Sequence, residues 1–408
     1  MHNGRDQLVI RALSILFITL KKKEMLKYVI DKNMDKRVYI VCTSLDVGGS
    51  ELQASRLANS LSEIGYETVF VSLKKAGDLK HELSSTVKFY DYKLYRKSRT
   101  KKFVKIRTFL WLIIGIINLR KELSSNNGQN VIISFLFHAS LVSFLVSILN
   151  KNTHQIVTVR SDRFAIRTKK TSFFRTTVMK IVFRFSSHIV FNSNKSKEAF
   201  VNKSINKVGN SIIHNLLPDR SIEIKERKFN TEQLNGIYVG RLDKLKNIDS
   251  LIYAIGTLRK EKIAVSLDIY GSGKEEKSLK GLVEDLNLEE CIKFKEKEIG
   301  IIGKSIHYDF LGLTSFHEGF PNVVIEAMKN NLLVVSTDVG DVKELLSENR
   351  GIVANETTVE SIAAAIRKAS SLSNDEKKSI VIRAQQFIDG YLDRKEILNQ
   401  WTNLINNI

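Results

Sequence analysis

Apolar residues in this chain come in short runs, each closed by a polar or glycine-bearing turn and followed by a longer stretch with helical spacing. Arg37–Cys42 is the first run, then Thr68–Leu73, Val87–Tyr90, Val131–Phe135, Gln155–Val159 and His188–Asn192. Helices are expected from about Glu51, over 100–122, over 139–149, and between the runs ending at Val159 and starting at His188. Runs this short, rich in β-branched residues and bounded by turns, predict strands. Strands alternating with helices predict a parallel, doubly wound sheet.

The pattern is interrupted at 219–231, a polar and charged stretch that reads as a linker, and then starts again. Gly236–Val239, Ser266–Tyr270, Ile292–Phe294, His307–Leu313, Leu333–Thr337 and Gly351–Val353 read as strands, with helices from about Ile248, from Glu275 and after Asn322; residues 374–408 read as helical. The expected fold is α/β, with two Rossmann-like domains in tandem. The expected boundaries are an N-terminal extension over 1–36, a first domain over 37–217, a linker over 218–230, a second domain over 231–385 and a C-terminal helix over 386–408. Ligands of such sheets sit at the carboxyl ends of the strands, so a nucleotide site is expected where the two sheets face each other.

Composition narrows the class. With 408 residues, 43% hydrophobic and 26% charged, the chain has the size for two domains and the make-up of a globular protein. Cys42 and Cys291 are too few for a disulfide framework or a metal site and read as reduced core thiols. Charge is lopsided: Met1–Arg220 carries 38 Lys and Arg against 15 Asp and Glu, whereas the remainder carries 26 against 29. A basic half points to an anionic partner. No zinc-finger spacing or aromatic RNA-binding motif supports nucleic acid, so an anionic membrane surface carrying a phosphorylated, lipid-linked acceptor is the expected partner.

No apolar run reaches the roughly 18 residues that span a bilayer. Leu8–Leu20 is interrupted by Arg11 and followed by Lys21-Lys22-Lys23, the reverse of a secretory signal. Residues 1–36 therefore read as an amphipathic helix on the membrane surface, as an extra helix on the first domain, or as a poorly ordered extension. Lys93–Phe103 and Arg163–Arg184 combine cations with aromatics and are the expected docking surface. The expected location is cytoplasmic, peripheral at the inner face of the plasma membrane.

The densest chemistry lies in Ser315–Met328. Glu318 and Glu326 flank the turn Gly319-Phe320-Pro321-Asn322. Proline is favoured in the first helical turn, so a helix is expected from about Asn322 through Met328. Its free N–H groups and dipole attract phosphate, Glu318 would stand on the loop before it, and Glu326 one turn along, on the Asn322 face. A nucleotide sugar, with phosphates in the middle and hydroxyls at both ends, suits that arrangement.

This stretch resembles the donor-site signature of the retaining glycosyltransferases of family four, which have the two-domain GT-B fold; the similarity covers roughly residues 37–400. The resemblance implies that Glu318 holds the donor sugar and Glu326 the ribose hydroxyls, with Gly319, Phe320, Pro321, Asn322 and Val323 around the phosphates. Thr337-Asp338-Val339-Gly340 and Glu344 continue the pattern. In Val239–Asn247 it implies that Arg241 and Lys246 clasp the diphosphate, and fixed cations lower the barrier to its departure. Asp46–Glu51 is similar to the family's Gly-Gly-x-Glu loop, in which Gly48 and Gly49 let backbone amides approach a ligand. Gly271 and Gly273 resemble its Gly-x-Gly turn, and His138, just beyond a strand, stands where family members often place a histidine near the donor sugar. Arg160 is an expected acceptor or phosphate contact. Lys329–Leu333 replaces the family's usual Gly and Pro, and Lys295–Glu298 stands where a glycine near the base is usual, which leaves base recognition open.

The expected activity is thus transfer of a sugar from a nucleoside-diphosphate sugar, UDP by default, to a hydroxyl of a lipid-linked oligosaccharide or surface polysaccharide precursor. Retention is implied by the resemblance. No cofactor and no metal are expected, since both glutamates are assigned to hydroxyls. The alternatives are a nucleotide-sugar 2-epimerase of the same fold, or a non-enzymatic basic binding protein.

Overall fold

The computed structural model describes residues 36–46, 48–74, 76–92, 101–126, 128–160, 171–201, 208–217, 227, 229–230, 232–304 and 306–408. The readings made for 1–35, 93–100, 161–170 and Pro218 with most of the 218–230 stretch lie outside the described residues.

The first half runs β1 (Lys36–Cys42), α1 (Gly49–Glu63), β2 (Glu67–Ser72), β3 (Lys88–Asp91), α2 (Lys101–Ser124), β4 (Gln129–Phe135), α3 (Phe137–Ser147), β5 (Thr153–Val159), α4 (Thr171–Phe185), β6 (His188–Phe191), α5 (Asn194–Val201) and β7 (Asn210–Ile212). The second runs β8 (Leu234–Val239), α6 (Ile248–Lys260), β9 (Val265–Tyr270), α7 (Glu276–Asp285), β10 (Ile292–Lys295), α8 (Ile301–Lys304), β11 (Phe310–Leu313), α9 (Asn322–Lys329), β12 (Leu333–Thr337), α10 (Val342–Leu346), β13 (Ile352–Ala354), α11 (Val359–Ser371), α12 (Asn374–Tyr391) and α13 (Arg394–Asn407).

The strands form a 7-stranded sheet in the order β3-β2-β1-β4-β5-β6-β7 and a 6-stranded sheet in the order β10-β9-β8-β11-β12-β13. Every strand pairing in both is parallel. A parallel sheet has helices on both faces, so its strands are apolar on both sides. Alternate residues of β1 accordingly enter different cores: Val38 and Ile40 one, Tyr39 and Val41 another.

In each sheet the strand order reverses between the first strand and its non-consecutive neighbour, β1 beside β4 and β8 beside β11. A crevice opens at the carboxyl ends of such a pair. The loops leaving these four strands hold Gly48 and Gly49, His138, Arg241 and Lys246, and Glu318 to Asn322.

One apolar core joins the two sheets. It contains Val38 and Ile40 of β1, Ile237 of β8, Leu311 of β11, Val324 and Met328 of α9, and Ile388, Trp401 and Ile405 of the last two helices. Residues 374–408 form two helices, the last of them starting at Arg394 rather than near 386: the Asp393 carboxylate accepts from the amides of Lys395 (2.7 Å) and Glu396 (3.1 Å) and starts α13 afresh. α13 lies against the first domain. Arg394 donates to Ser60 Oγ (3.0 Å) and Glu63 Oε2 (2.8 Å), Tyr66 to Asn406 Oδ1 (2.9 Å), and Lys36 to the carbonyls of Ile405 and Asn406. Of the polar stretch before β8, Arg227 and Phe229 are buried on the second domain, with Arg227 donating to the Tyr308 carbonyl.

Candidate active site

The second domain supplies the cationic wall. The loop after β8 is fixed from three sides. Leu242 N donates to Ser272 O (3.1 Å), Tyr238 Oη donates to Arg241 O (3.1 Å), and Asp243 accepts from Leu245 N (3.1 Å). Thr314, at the end of β11, donates to the carbonyls of Lys246 (3.1 Å) and Asn247 (3.0 Å). Lys246 is thereby aimed at the next loop, where its Nζ stands 2.6 Å from Glu318 Oε1. Ser315 Oγ donates to the same oxygen at 2.7 Å, and both members of the ion pair are about 15% exposed. Arg241 is the freer cation, 59% exposed with Asp243 at 3.5 Å.

The glycines of this region make close packing possible. Gly271 lies against the Gly240 carbonyl and Gly273 against the Leu242 carbonyl, so closely that a Cβ on either would overlap backbone. Gly340, at φ +53°, packs its α-carbon on the carbonyls of Glu318 and Gly319; an L side chain there would meet both strain and collision. These contacts set the height of the loop that enters α9. That helix begins at Asn322 after Pro321, with no side chain capping its first turn; the Val324 and Ile325 amides donate to the Pro321 carbonyl (3.0 and 3.3 Å), so those of Asn322 and Val323 are left for solvent or an anion.

The first domain supplies the opposite wall. Gly48 precedes α1, and Glu51 folds back over it. Burial pushes the Glu51 carboxyl above its ordinary range, while Arg241 and Lys297 from the second domain oppose the rise. Asn322 Nδ2 approaches the Gly49 carbonyl at 3.4 Å, and Asn215 Nδ2 donates to Asn322 Oδ1 at 2.6 Å. Arg160 in turn donates to Asn215 Oδ1 and stacks its guanidinium on Phe135 (4.8 Å). Arg56, on α1, donates to Glu326 Oε1 (3.1 Å) and to the Leu216 carbonyl (3.2 Å).

Flat groups stack beside the loop. His214 lies on Phe320 (5.2 Å) and on Tyr391 (4.9 Å), Tyr391 on Phe387 (5.1 Å), and the Arg350 guanidinium over Phe387 (3.7 Å). His138, in the first turn of α3, sits between Trp111 (5.4 Å) and Phe137 (5.3 Å). Burial, with Lys74 and Arg175 nearby, lowers its pKa to about 4, so it is a neutral imidazole at physiological pH, able to donate or accept without carrying charge.

Asp341 is a buried carboxylate at the domain boundary, only 1% exposed. Neither of its oxygens has a hydrogen bond of ordinary geometry among the described residues. Burial raises its pKa from an ordinary 3.8 to about 6, partly offset by the Asn194 and Lys195 amides at the start of α5. The folded protein then holds a proton there that the unfolded chain releases, so stability falls as pH rises from about 4 to 6. A shift of this size corresponds to at most about 3 kcal/mol. Asp341→Asn is expected to raise stability by about 1–2 kcal/mol at pH 8 and to leave it nearly unchanged at pH 4. Urea denaturation at the two pH values measures this; equal effects at both would refute the assignment.

The structure thus brings together Lys246 with Glu318, Arg241 with the loop beneath it, and Gly49 with Asn322. It places several expected residues differently. Arg160 braces the cleft wall as well as standing at the strand end: its guanidinium is buried deeply enough to bring its pKa down to about 10, and Nη1 donates to Asn215. Gly271 and Gly273 pack the β9 turn under the β8 loop. Val323 is partly buried against the shared core, and Glu326 faces Arg56. Arg56, His214, Ser315 and Thr314 were not singled out from the sequence. Arg56 had one legible signal, its helical spacing from Gly49 on α1; Ser315 and Thr314 had theirs in standing three and four residues before Glu318, and His214 is brought in only by the chain's fold.

Comparison with known proteins bears on the fold and on the second domain. Residues 219–387 match the family model described as glycosyl transferases group 1. Over 342 residues, covering 80% of this chain and 73% of the relative, the chain is 22% identical to the phosphatidylinositol N-acetylglucosaminyltransferase GPI3 subunit of Saccharomyces cerevisiae. It is 24% identical over 318 residues to the capsular polysaccharide biosynthesis glycosyltransferase CapH of Staphylococcus aureus, covering 76% of this chain and 83% of that one. The structure of Anabaena Alr3699/HepE in complex with UDP superposes with a TM-score of 0.70 at 17% identity, covering 91% of this chain and 100% of that one. The protein is therefore a glycosyltransferase of GT-B fold, with a glycosyl transferases group 1 domain over residues 219–387.

Proposed function

We propose that the protein is a retaining transferase of family four that moves a sugar from a UDP-sugar to a hydroxyl of a lipid-linked oligosaccharide or surface polysaccharide precursor. The observation that carries this reading is the 2.6 Å pair between Lys246 and Glu318 beside the uncapped start of α9. An acid for sugar hydroxyls and a cation for phosphate stand side by side, and each neutralises the other when the site is empty. Arg241 adds a second cation, and the free Asn322 and Val323 amides, with the helix dipole behind them, add donors for the departing diphosphate.

In this reading the bond between the anomeric carbon and the diphosphate oxygen breaks while the acceptor oxygen bonds to the same face. The acceptor's proton passes to the leaving phosphate oxygen. Glu318 orients the sugar, Lys246 and Arg241 hold the charge that develops, and no step calls on a metal. His138, neutral and opposite this wall, is suited to a hydrogen bond with the sugar. The GPI3 subunit acts, by its name, on a phosphatidylinositol and CapH in capsular polysaccharide synthesis; both support an acceptor carried on lipid or built into a surface polymer.

The first domain supports work at an anionic bilayer surface. No helix among the described residues is long and apolar enough to cross a membrane. Ile113, Ile114 and Ile117 of α2, Ile148 and Leu149 after α3, and Ile181 and Phe185 of α4 are exposed. Exposed cations accompany them, among them Arg120, Lys151, Lys180 and Arg184. Apolar side chains among cations suit the headgroup region of acidic lipid.

The test is calorimetric titration with UDP and a panel of UDP-sugars, followed by product analysis with a polyprenyl-diphosphate oligosaccharide. Binding of UDP that weakens at least tenfold in Lys246→Met, together with an α-linked product, is the expected result. No heat with any sugar nucleotide from folded protein would sink the reading. An epimer formed from UDP-sugar alone would replace it with the isomerase.

A further inference from the structure

Glu326 is assigned above to the ribose hydroxyls, yet its nearest charged neighbour comes from the other domain. Arg56 places one guanidinium nitrogen 3.1 Å from Glu326 Oε1 and another 3.2 Å from the Leu216 carbonyl. Both partners are mostly shielded, at 17% and 20% exposure. An ion pair at a shielded position holds its partners' geometry more firmly than a surface pair, and arginine's planar fork can serve two acceptors at once.

The pair belongs to a seam between two helices. Gly49, Gln53 and Arg56 lie on one face of α1, at i, i+4 and i+7. Gly49 O meets Asn322 Nδ2, Gln53 clasps Leu216 through both its amide atoms (Nε2 to Leu216 O 3.0 Å; Leu216 N to Oε1 2.8 Å), and Arg56 meets Glu326. Asn322 and Glu326 are themselves one turn apart on α9. Leu216 is at the end of the first domain, just before the chain passes to the second. The guanidinium therefore touches both the crossover between domains and the carboxylate of the donor-side helix.

We propose that Arg56 is a positioning residue for the donor nucleotide: it holds Glu326 Oε1 from the opposite domain so that the other carboxylate oxygen is presented to the ribose hydroxyls. This rests on the reading of Glu326 as the ribose ligand. Recognition of ribose then depends on the first domain standing against the second, and the nucleotide is held fully only with the cleft closed. A bound ribose rewards closure, and closure sharpens ribose recognition, as linkage requires.

The experiment compares the affinity of UDP with that of 2′-deoxy-UDP by calorimetry in wild type, Arg56→Met, Arg56→Lys and Glu326→Gln, with inorganic pyrophosphate as a control ligand. Wild type is expected to prefer UDP by about tenfold, the size of one hydrogen bond to a charged group. Arg56→Met should reduce that preference to less than about threefold with pyrophosphate binding unchanged, and Arg56→Lys should restore part of it. A structural strut alone would lower thermal stability without touching the ratio. If Glu326→Gln removes the preference and Arg56→Met keeps it, the role of Arg56 is overturned and that of Glu326 stands. If Glu326→Gln also keeps it, both fall.

Discussion

Lys246→Met is expected to lower kcat by about 10²–10³, the usual loss when one preorganised donor to a developing oxyanion is removed. The side chain is held in place from two sides. Thr314 fixes the backbone on which it stands, Glu318 takes its ammonium at 2.6 Å, and the pair is largely shielded from water. Shielding is what makes a fixed charge effective, because a cation in bulk water has already spent much of its field on solvent. Lys244, two residues earlier in the same turn, is exposed and makes no such pair among the described residues, so Lys244→Met is the internal control and should stay within about twofold of wild type. Removing Lys246 also leaves Glu318 without its counter-charge, a cost in folding of roughly 3–5 kcal/mol for a fully buried pair and less for this partly exposed one. Single-turnover rates on protein shown by circular dichroism to be folded separate the two effects. Equal rates for Lys246→Met and Lys244→Met would remove Lys246 from the mechanism.

The largest expected loss of stability is at the other end of the chain. Trp401 is 1% exposed in the core that joins both sheets to the last helices. Truncating a buried tryptophan to alanine leaves a cavity and costs about 3–5 kcal/mol. Trp401→Ala should therefore move the urea midpoint strongly downward with the slope of the transition little changed. Ile382 on the preceding helix is exposed at 48%, and Ile382→Ala should change stability by about 0.5 kcal/mol or less. A comparable loss in both variants would mean that α13 is not packed as described.

The fold was legible because each apolar run had one consistent reading. The run read as Arg37–Cys42 is found as Lys36–Cys42, and Leu333–Thr337 is found without change. What escaped was short or broken. β7 has only Ile212 to mark it among Asn210 and Ser211, and its pairing with β6 comes from tertiary contact rather than from its own propensity. The last helix was expected from 386, and its actual start at Arg394 is marked by Asp393-x-x-Glu396, an N-terminal capping pattern. At the site, residues close in sequence were easier to read than residues close only in space. Glu318, Pro321 and Asn322 announced a loop and a helix start through spacing alone. Arg56 is 270 positions from Glu326, and no local rule can anticipate a pair that exists only because two sheets face each other. For the same reason the sequence does not show that Arg160, at a strand end, rests on the Phe135 ring and donates to the Asn215 side chain.

The pile of Arg350, Phe387, Tyr391, His214 and Phe320 reaches from one of the last helices to the donor loop. Rings in contact pass a change in thickness or tilt to the next ring, since packed interiors yield little. Adjusting how Phe320 is held therefore does not require touching the loop or any group that meets a substrate. Position 387 offers a remote tuning point, where selection or an engineer can alter substrate preference while the catalytic side chains stay as they are.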